Sequence, residues 1–119
     1  MIIVKDIHKQ FGETVALDKV TFSIDKAELF GLIGPDGAGK STIMRILMSL
    51  ILPDNGSATM NGFDVVADYK KIRLVTGYIP GRFSLYQDLT VEENLKFFAA
   101  VFGTTVEENF RFSSTVRSW

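Results

Sequence analysis

Hydrophobic and polar residues change period several times along the chain, and each change predicts an element. Ile2, Ile3 and Val4 open a strand that is expected to run to about His8, and Phe11-Gly12-Glu13 reads as a turn. Val20, Phe22 and Ile24 alternate with Thr21 and Ser23, the period of a half-buried strand. Leu29 to Ile33 (LFGLI) is apolar throughout, which predicts a strand buried on both faces. Ile43, Ile46, Leu47 and Leu50 then fall on one face of a helix, which Pro53 to Gly56 (PDNG) is expected to stop. Ser57 to Met60 reads as a short strand before an Asn61-Gly62 turn. Tyr69 to Arg73 reads as a short helix, and Leu74 to Ile79 as a region holding a strand closed by Pro80-Gly81. Thr90 and Glu93 form a Thr-x-x-Glu capping box, which opens a helix to about Val101. No internal repeat or low-complexity segment interrupts this order.

Composition narrows the classes. At 119 residues the chain holds one domain at most, and 46% apolar with 23% charged residues is an ordinary globular balance. Thirteen basic against fourteen acidic residues give a net charge of -1, so nucleic acid is not expected as a partner. The absence of Cys excludes disulfides, Cys-based zinc sites and a Cys nucleophile, and a single His, His8, excludes a His-rich metal site. The opening MIIVKDIHKQ lacks the basic-then-apolar order of a signal peptide. The longest apolar stretch, Ile43 to Leu52, contains Arg45 and Ser49 and falls well short of the about 20 residues needed to span a bilayer. Any link to a membrane is therefore expected to run through a partner.

One motif carries chemistry. Gly34-Pro35-Asp36-Gly37-Ala38-Gly39-Lys40-Ser41 fits G-x-x-x-x-G-K-[ST], the phosphate-binding P-loop, and Thr42 extends it. Glycines let the backbone come close to a ligand, and successive N–H groups then form a nest for anionic oxygens. The helix that follows turns its positive dipole end to the same anion. Lys40 supplies a full positive charge, and the Ser41 hydroxyl suits Mg²⁺, which prefers oxygen ligands. Its four fixed positions would coincide by chance in roughly 0.4% of chains this long. The apolar run before it and the helical pattern after it supply the context the motif requires. Glu92, Glu93, Glu107 and Glu108 are carboxylates of helix starts, where negative charge suits the dipole, rather than an acid–base pair. Phe97 and Phe98 are expected to be core residues rather than a cofactor box.

Further segments, in order, extend the picture: Phe11-Gly12, ALDKVTFSI at 16–24, GLIGPDGAGKST at 31–42, LPDNGSATMNGFDV at 52–65, and GYIP-x-RFSLYQDLTVEENL at 77–95. Together they resemble the ATP-binding subunit of an ABC transporter over residues 1–109. The segment LTVEENLKFFAAVFG looks most like those of export-type members. The resemblance implies an incomplete α/β P-loop NTPase fold of the ABC ATPase type with an antiparallel β portion. It implies ATP and Mg²⁺ as cofactors, held by Gly34 to Thr42 with Ser41 on the metal and Phe11 stacked on adenine. It also implies a membrane permease and a second ATP-binding domain as partners, with Tyr86 and Asp88 to Glu93 on the face that meets the permease. The protein is then expected in the cytoplasm, at the inner face of the cell membrane.

Departures from the family pattern are specific. Gly81 stands where the family usually has a Gln that reaches the magnesium and the attacking water, and Gln87 is no obvious substitute. Asp36 stands where Asn is commoner. No second acidic strand motif, Ser-Gly-Gly signature or later His follows Lys40, so no complete catalytic set is expected. Residues 110–119 (FRFSSTVRSW) are expected to be a tail that departs from the family pattern. The reading at this point is ATP binding by a transporter subunit that, when complete, hydrolyses ATP to drive transport. A non-catalytic nucleotide-binding fragment, and a soluble ATPase of the same type in DNA repair or translation, stay open.

Overall fold

The computed structural model describes residues 1–79, 81 and 85–108. It divides into two units, Met1–Tyr78 and the residues from Ile79 onward. In the first unit, β1 (Ile2–Phe11) and β2 (Thr14–Ile24) form a hairpin. Helix α1 (Lys40–Leu47) follows, then β3 (Asn55–Met60), β4 (Phe63–Asp64) and α2 (Tyr69–Val75). The four strands make one antiparallel sheet in the order β2-β1-β3-β4. Val4 and Ile7 of β1, Leu17 of β2, and Ala58 and Met60 of β3 are buried with Ile43, Ile46 and Leu47 of α1. Val65 and Ile72 complete this core.

Val4 and Ile7 could not both face the core of a regular strand, where side chains alternate. A register shift between them resolves this, with Asp6 at φ 49°. Gly56 on β3 accommodates the bulge: its φ is 84°, and a Cβ there would strike the Asp6 carbonyl oxygen.

Helix α1 ends sooner than its apolar spacing predicts. Ser49 adopts φ 55°, its amide donates to the Ile46 carbonyl at 2.9 Å, and the Leu50 amide donates to the Arg45 carbonyl at 2.9 Å. This paired closure stops the helix before Pro53-Asp54-Asn55-Gly56 is reached, and it puts Leu50 outside the buried face.

Two expected strands do not form. Leu29 to Ile33 runs without a hydrogen-bonded partner strand among the described residues, and Leu29 and Ile33 are fully exposed. Phe30 rests against Phe22, ring centroids 5.4 Å apart, and is only partly covered. Leu74 and Val75 end helix α2 instead, and Thr76 to Ile79 is irregular. The physical reason is common to both: an apolar strand needs neighbours to satisfy its backbone, and among the described residues no strand pairs with either segment. Pro80, Arg82 to Ser84 and the expected tail at 110–119 lie outside the described residues.

In the second unit, α3 (Val91–Val101) opens with the expected capping box: Thr90 Oγ1 accepts from the Glu93 amide, and a Glu93 carboxylate oxygen accepts from the Thr90 amide at 2.8 Å. It closes at Gly103, φ 67°. No helix among the described residues is long and apolar enough to cross a membrane.

Candidate functional site

The chain leaves Ile33, turns through Gly34 to Gly39, and enters α1 at Lys40. Gly39 is the N-cap at φ 88°, and no side chain caps the helix there. A Cβ at this position would strike the Ala16 carbonyl oxygen and come within 2.7 Å of Leu17 Cδ2. The loop is thus pressed against β2, and only glycine satisfies both the conformation and the close approach. Inside the loop the Ala38 amide donates to the Pro35 carbonyl at 3.3 Å. Lys40 folds back over it: Nζ donates to the carbonyls of Gly34 and Pro35, each at 2.6 Å.

This arrangement suits an anion. The helix start carries no acidic residue in its first turn. Among the described residues its lysine is held by two carbonyls, and a phosphate oxygen, which carries formal charge, is the stronger acceptor. Asp36 is exposed and has no ion pair among the described residues, so its carboxylate is free to stay in water. Ser41 and Thr42 occupy the first turn of α1. For magnesium the first turn offers hydroxyl oxygens, those of Ser41 and Thr42, and no group of three His, Cys, Asp or Glu side chains that could hold a metal occurs among the described residues. That fits a cation that keeps several waters and arrives with substrate phosphates.

Phe11 ends β1 at the tip of the hairpin, opposite Thr14, and is 50% exposed. The same hairpin carries Ala16 and Leu17 to Gly39, so one supersecondary unit holds both the aromatic ring and the floor of the loop. The periodicity does not single out Lys9, which lies over this ring, or Asp54, which holds Lys9. Lys9 Nζ lies 5.3 Å from its centroid and 2.7 Å from Asp54 Oδ1. The Lys9 ammonium, and then the Gln10 amide, hold the Asp54 carboxyl below the usual carboxylate range.

The second unit places the other candidates. Gln87 and Asp88 are exposed in a turn where the Leu89 amide donates to the Tyr86 carbonyl at 3.2 Å. Tyr86 packs edge-on against Phe97 (5.0 Å), which meets Phe98 in the same manner (5.4 Å). The pair is thus an aromatic cluster, yet Phe97 keeps 42% of its surface exposed rather than entering a closed core. Buried Asn94, absent from the sequence reading, ties the turn to the helix. Its Oδ1 accepts from the Tyr86 amide at 2.9 Å, and its Nδ2 donates to the carbonyls of Tyr86, Leu89 and Thr90. Sequence alone did not single it out, because α3 also carries Glu92, Glu93 and Lys96 and only the burial of Asn94 sets it apart. The carboxylates are structural. Glu93 closes the capping box, Glu92 pairs with Lys96, and Glu108 accepts from the Thr104 hydroxyl and the Thr105 amide. Hydrogen bonds from Thr90 lower the Glu93 carboxyl, and those from Thr104 and Thr105 lower Glu108. Gly81 is exposed, and a Cβ there would meet nothing within 4 Å.

Comparison with known proteins gives a consistent result. Residues 17–118 match the family described as ABC transporter. The chain is 44% identical over 103 residues to the probable multidrug ABC transporter ATP-binding protein YbhF of Escherichia coli strain K12, covering 87% of this chain and 18% of that protein. It is 39% identical over 103 residues to the Nod factor export ATP-binding protein I of Mesorhizobium japonicum, covering 87% and 30%. Among solved structures, an ATP-binding subunit of an ABC transporter superposes with a TM-score of 0.77 at 34% identity, over 92% of this chain and 46% of that one. The ATP-binding cassette MJ0796, solved as a dimer bound to ADP and Pi, superposes with a TM-score of 0.72 at 26% identity, over 86% and 48%. The chain therefore spans less than half the length of each of these four proteins.

Proposed function

The chain belongs to the ABC transporter family of ATP-binding proteins, and on that premise we propose that it binds Mg·ATP on Gly34 to Thr42. The observation that carries this reading is the loop itself: Gly39 seated on β2, Lys40 poised over two loop carbonyls, and an uncapped helix start behind them. In this reading Lys40 exchanges its carbonyl partners for phosphate oxygens, and Ser41 contributes one oxygen to the metal. Phe11 offers its ring to the base. Magnesium, when bound, neutralises phosphate charge and orients the phosphoryl group. The whole protein would couple ATP hydrolysis to transport, in the export direction that the relatives' names support, beside a permease and a second ATP-binding domain. Tyr86 and Asp88 to Glu93 would face that permease, and the protein would sit at the inner face of the cell membrane.

A second reading has its own observation. At Gly81 no side chain stands where the family usually has a water-orienting Gln, which favours nucleotide binding without turnover for these 119 residues. A fluorescent ATP analogue, titrated with and without Mg²⁺, tests the site. Ser41→Ala is expected to weaken binding in Mg²⁺ and to leave it unchanged in chelator. Equal binding by both proteins in Mg²⁺ would remove Ser41 from the metal.

A further inference from the structure

The tip of the β1–β2 hairpin is held by one carboxylate. Asp54, in the turn between α1 and β3, accepts from Lys9 Nζ at 2.7 Å through Oδ1 and from the Gln10 amide at 2.8 Å through Oδ2. Its own amide donates to the His8 carbonyl at 2.9 Å. The Gln10 side chain in turn donates to the Gly12 carbonyl at 2.7 Å, which closes the tip. Lys9 keeps only 15% of its side chain exposed, although its ammonium lies over the Phe11 ring. A lysine drawn down in this way gives up rotamer freedom, and an ordinary surface ion pair returns little for that loss. The arrangement is better explained by what it does to the ring. One face of Phe11 lies under the ammonium, while half of the residue's surface is open to a ligand.

We propose that Lys9 and Asp54 are positioning residues for nucleotide binding, which fix the plane of Phe11 so that a purine base stacks on a ring already in place. The inference rests on the reading of Phe11 as the base-stacking residue. Its physical basis is preorganisation: an aromatic ring at the tip of a hairpin loses freedom when a ligand stacks on it, and a ring held beforehand has already lost it. The cation over the ring contributes the electrostatic part of that hold. Among the described residues, no hydrogen bond or ion pair joins Lys9, Gln10, Phe11 or Asp54 to the phosphate loop, so base and phosphate contributions are separable by experiment.

The test uses the 119-residue chain and two ligands, Mg·ATP and magnesium tripolyphosphate, which has no base. Calorimetric affinities are measured for the wild type, Phe11→Ala, Lys9→Met, Lys9→Arg, Asp54→Asn and the double variant Lys9→Met with Phe11→Ala. Lys9→Met and Asp54→Asn are expected to weaken ATP about two- to fivefold while leaving tripolyphosphate unchanged. Lys9→Arg, which keeps the cation and the ion pair, should bind ATP like the wild type. Lys9→Met should add no further loss in the Phe11→Ala background. Unchanged tripolyphosphate affinity also shows that the variants still fold. Equal loss for both ligands, an additive loss in the double variant, or no loss would overturn the proposal. If Phe11→Ala itself leaves ATP affinity unchanged, the base-stacking reading falls and the proposal with it. If Phe11→Ala weakens ATP and Lys9→Met does not, the positioning role alone is refuted.

Discussion

Removing the Lys40 ammonium is the most direct perturbation of the phosphate site. Without ligand, Lys40 Nζ is held by the Gly34 and Pro35 carbonyls at 2.6 Å. Facing a phosphate oxygen at about 4 Å in an effective dielectric of 20, it would gain about 4 kcal/mol of gross attraction. Surrendered carbonyl bonds and desolvation return part of this, and a net of about 1.5–3 kcal/mol is usual for hydrogen bonds to charged groups. Lys40→Ala should therefore weaken Mg·ATP by about tenfold or more. With an assumed dissociation constant of about 0.1 mM and about 1 mM ligand, linkage stabilises the wild type by about 1.4 kcal/mol. The variant would retain about 0.4 kcal/mol or less under the same conditions. In a chain of 119 residues the wild-type gain corresponds to about 5–6 °C in Tm. Far-ultraviolet circular dichroism melts, with and without Mg·ATP, read this difference. The variant alone should melt near the wild type, because the bonds it loses are not buried. An equal ligand-induced shift in both proteins would refute the reasoning, since no lysine-dependent anion site would then exist in the loop.

Other outcomes follow from the same structure. The 119-residue chain should bind ATP without sustained phosphate release; steady release abolished by Lys40→Ala would contradict this, and in a complete family protein Gly81→Gln should raise hydrolysis, since a side chain at that position meets open space. The Asp54, Glu93 and Glu108 carboxyls are lowered by their hydrogen-bond partners, as is Asp68 by the Lys71 ammonium and then the Asp64 amide, so each contributes stability above its ordinary value that is lost as pH falls through the lowered one. Stability should accordingly decline below about pH 4, and Asp54→Asn should flatten that limb; identical acid titrations of the two proteins would count against it. Fully exposed Leu29 and Ile33, with a net charge of only -1, should make the isolated chain self-associate at micromolar concentration. Light scattering that shows a monodisperse monomer, or no shift toward monomer on Ile33→Lys, would speak against that.

What the sequence determined by itself was local. The motif at Gly34 to Ser41 was legible because a P-loop needs fixed residue types at fixed spacing, and neither burial nor partners alters that need. The Thr90–Glu93 capping box was legible for the same reason: both hydrogen bonds lie within four residues. The strands at Ile2–Val4, Val20–Ile24 and Ser57–Met60 were legible from apolar runs, alternation and turns, whereas their antiparallel pairing was expected only from the family resemblance.

Tertiary structure decided whatever depended on a distant partner. LFGLI has the composition of an interior strand, but a strand exists only when another supplies its hydrogen bonds, and among the described residues none does. Leu74 and Val75 went to a helix for the same reason, because helix bonds are local where strand bonds are not. Helix α1 lost Leu50 from its face because Ser49 accepted a left-handed conformation, which apolar spacing does not encode. The bulge at Asp6 let Val4 and Ile7 share a core against the strict alternation of a strand. At the site, sequence named Phe11 and Lys40 but not what holds them. Asp54 reaches Lys9 from 45 residues away, and Leu17 meets Gly39 only because the hairpin folds back beneath the loop. Chemistry that resides in one short segment can be read from that segment, whereas the positioning of its groups depends on contacts that only folding brings together.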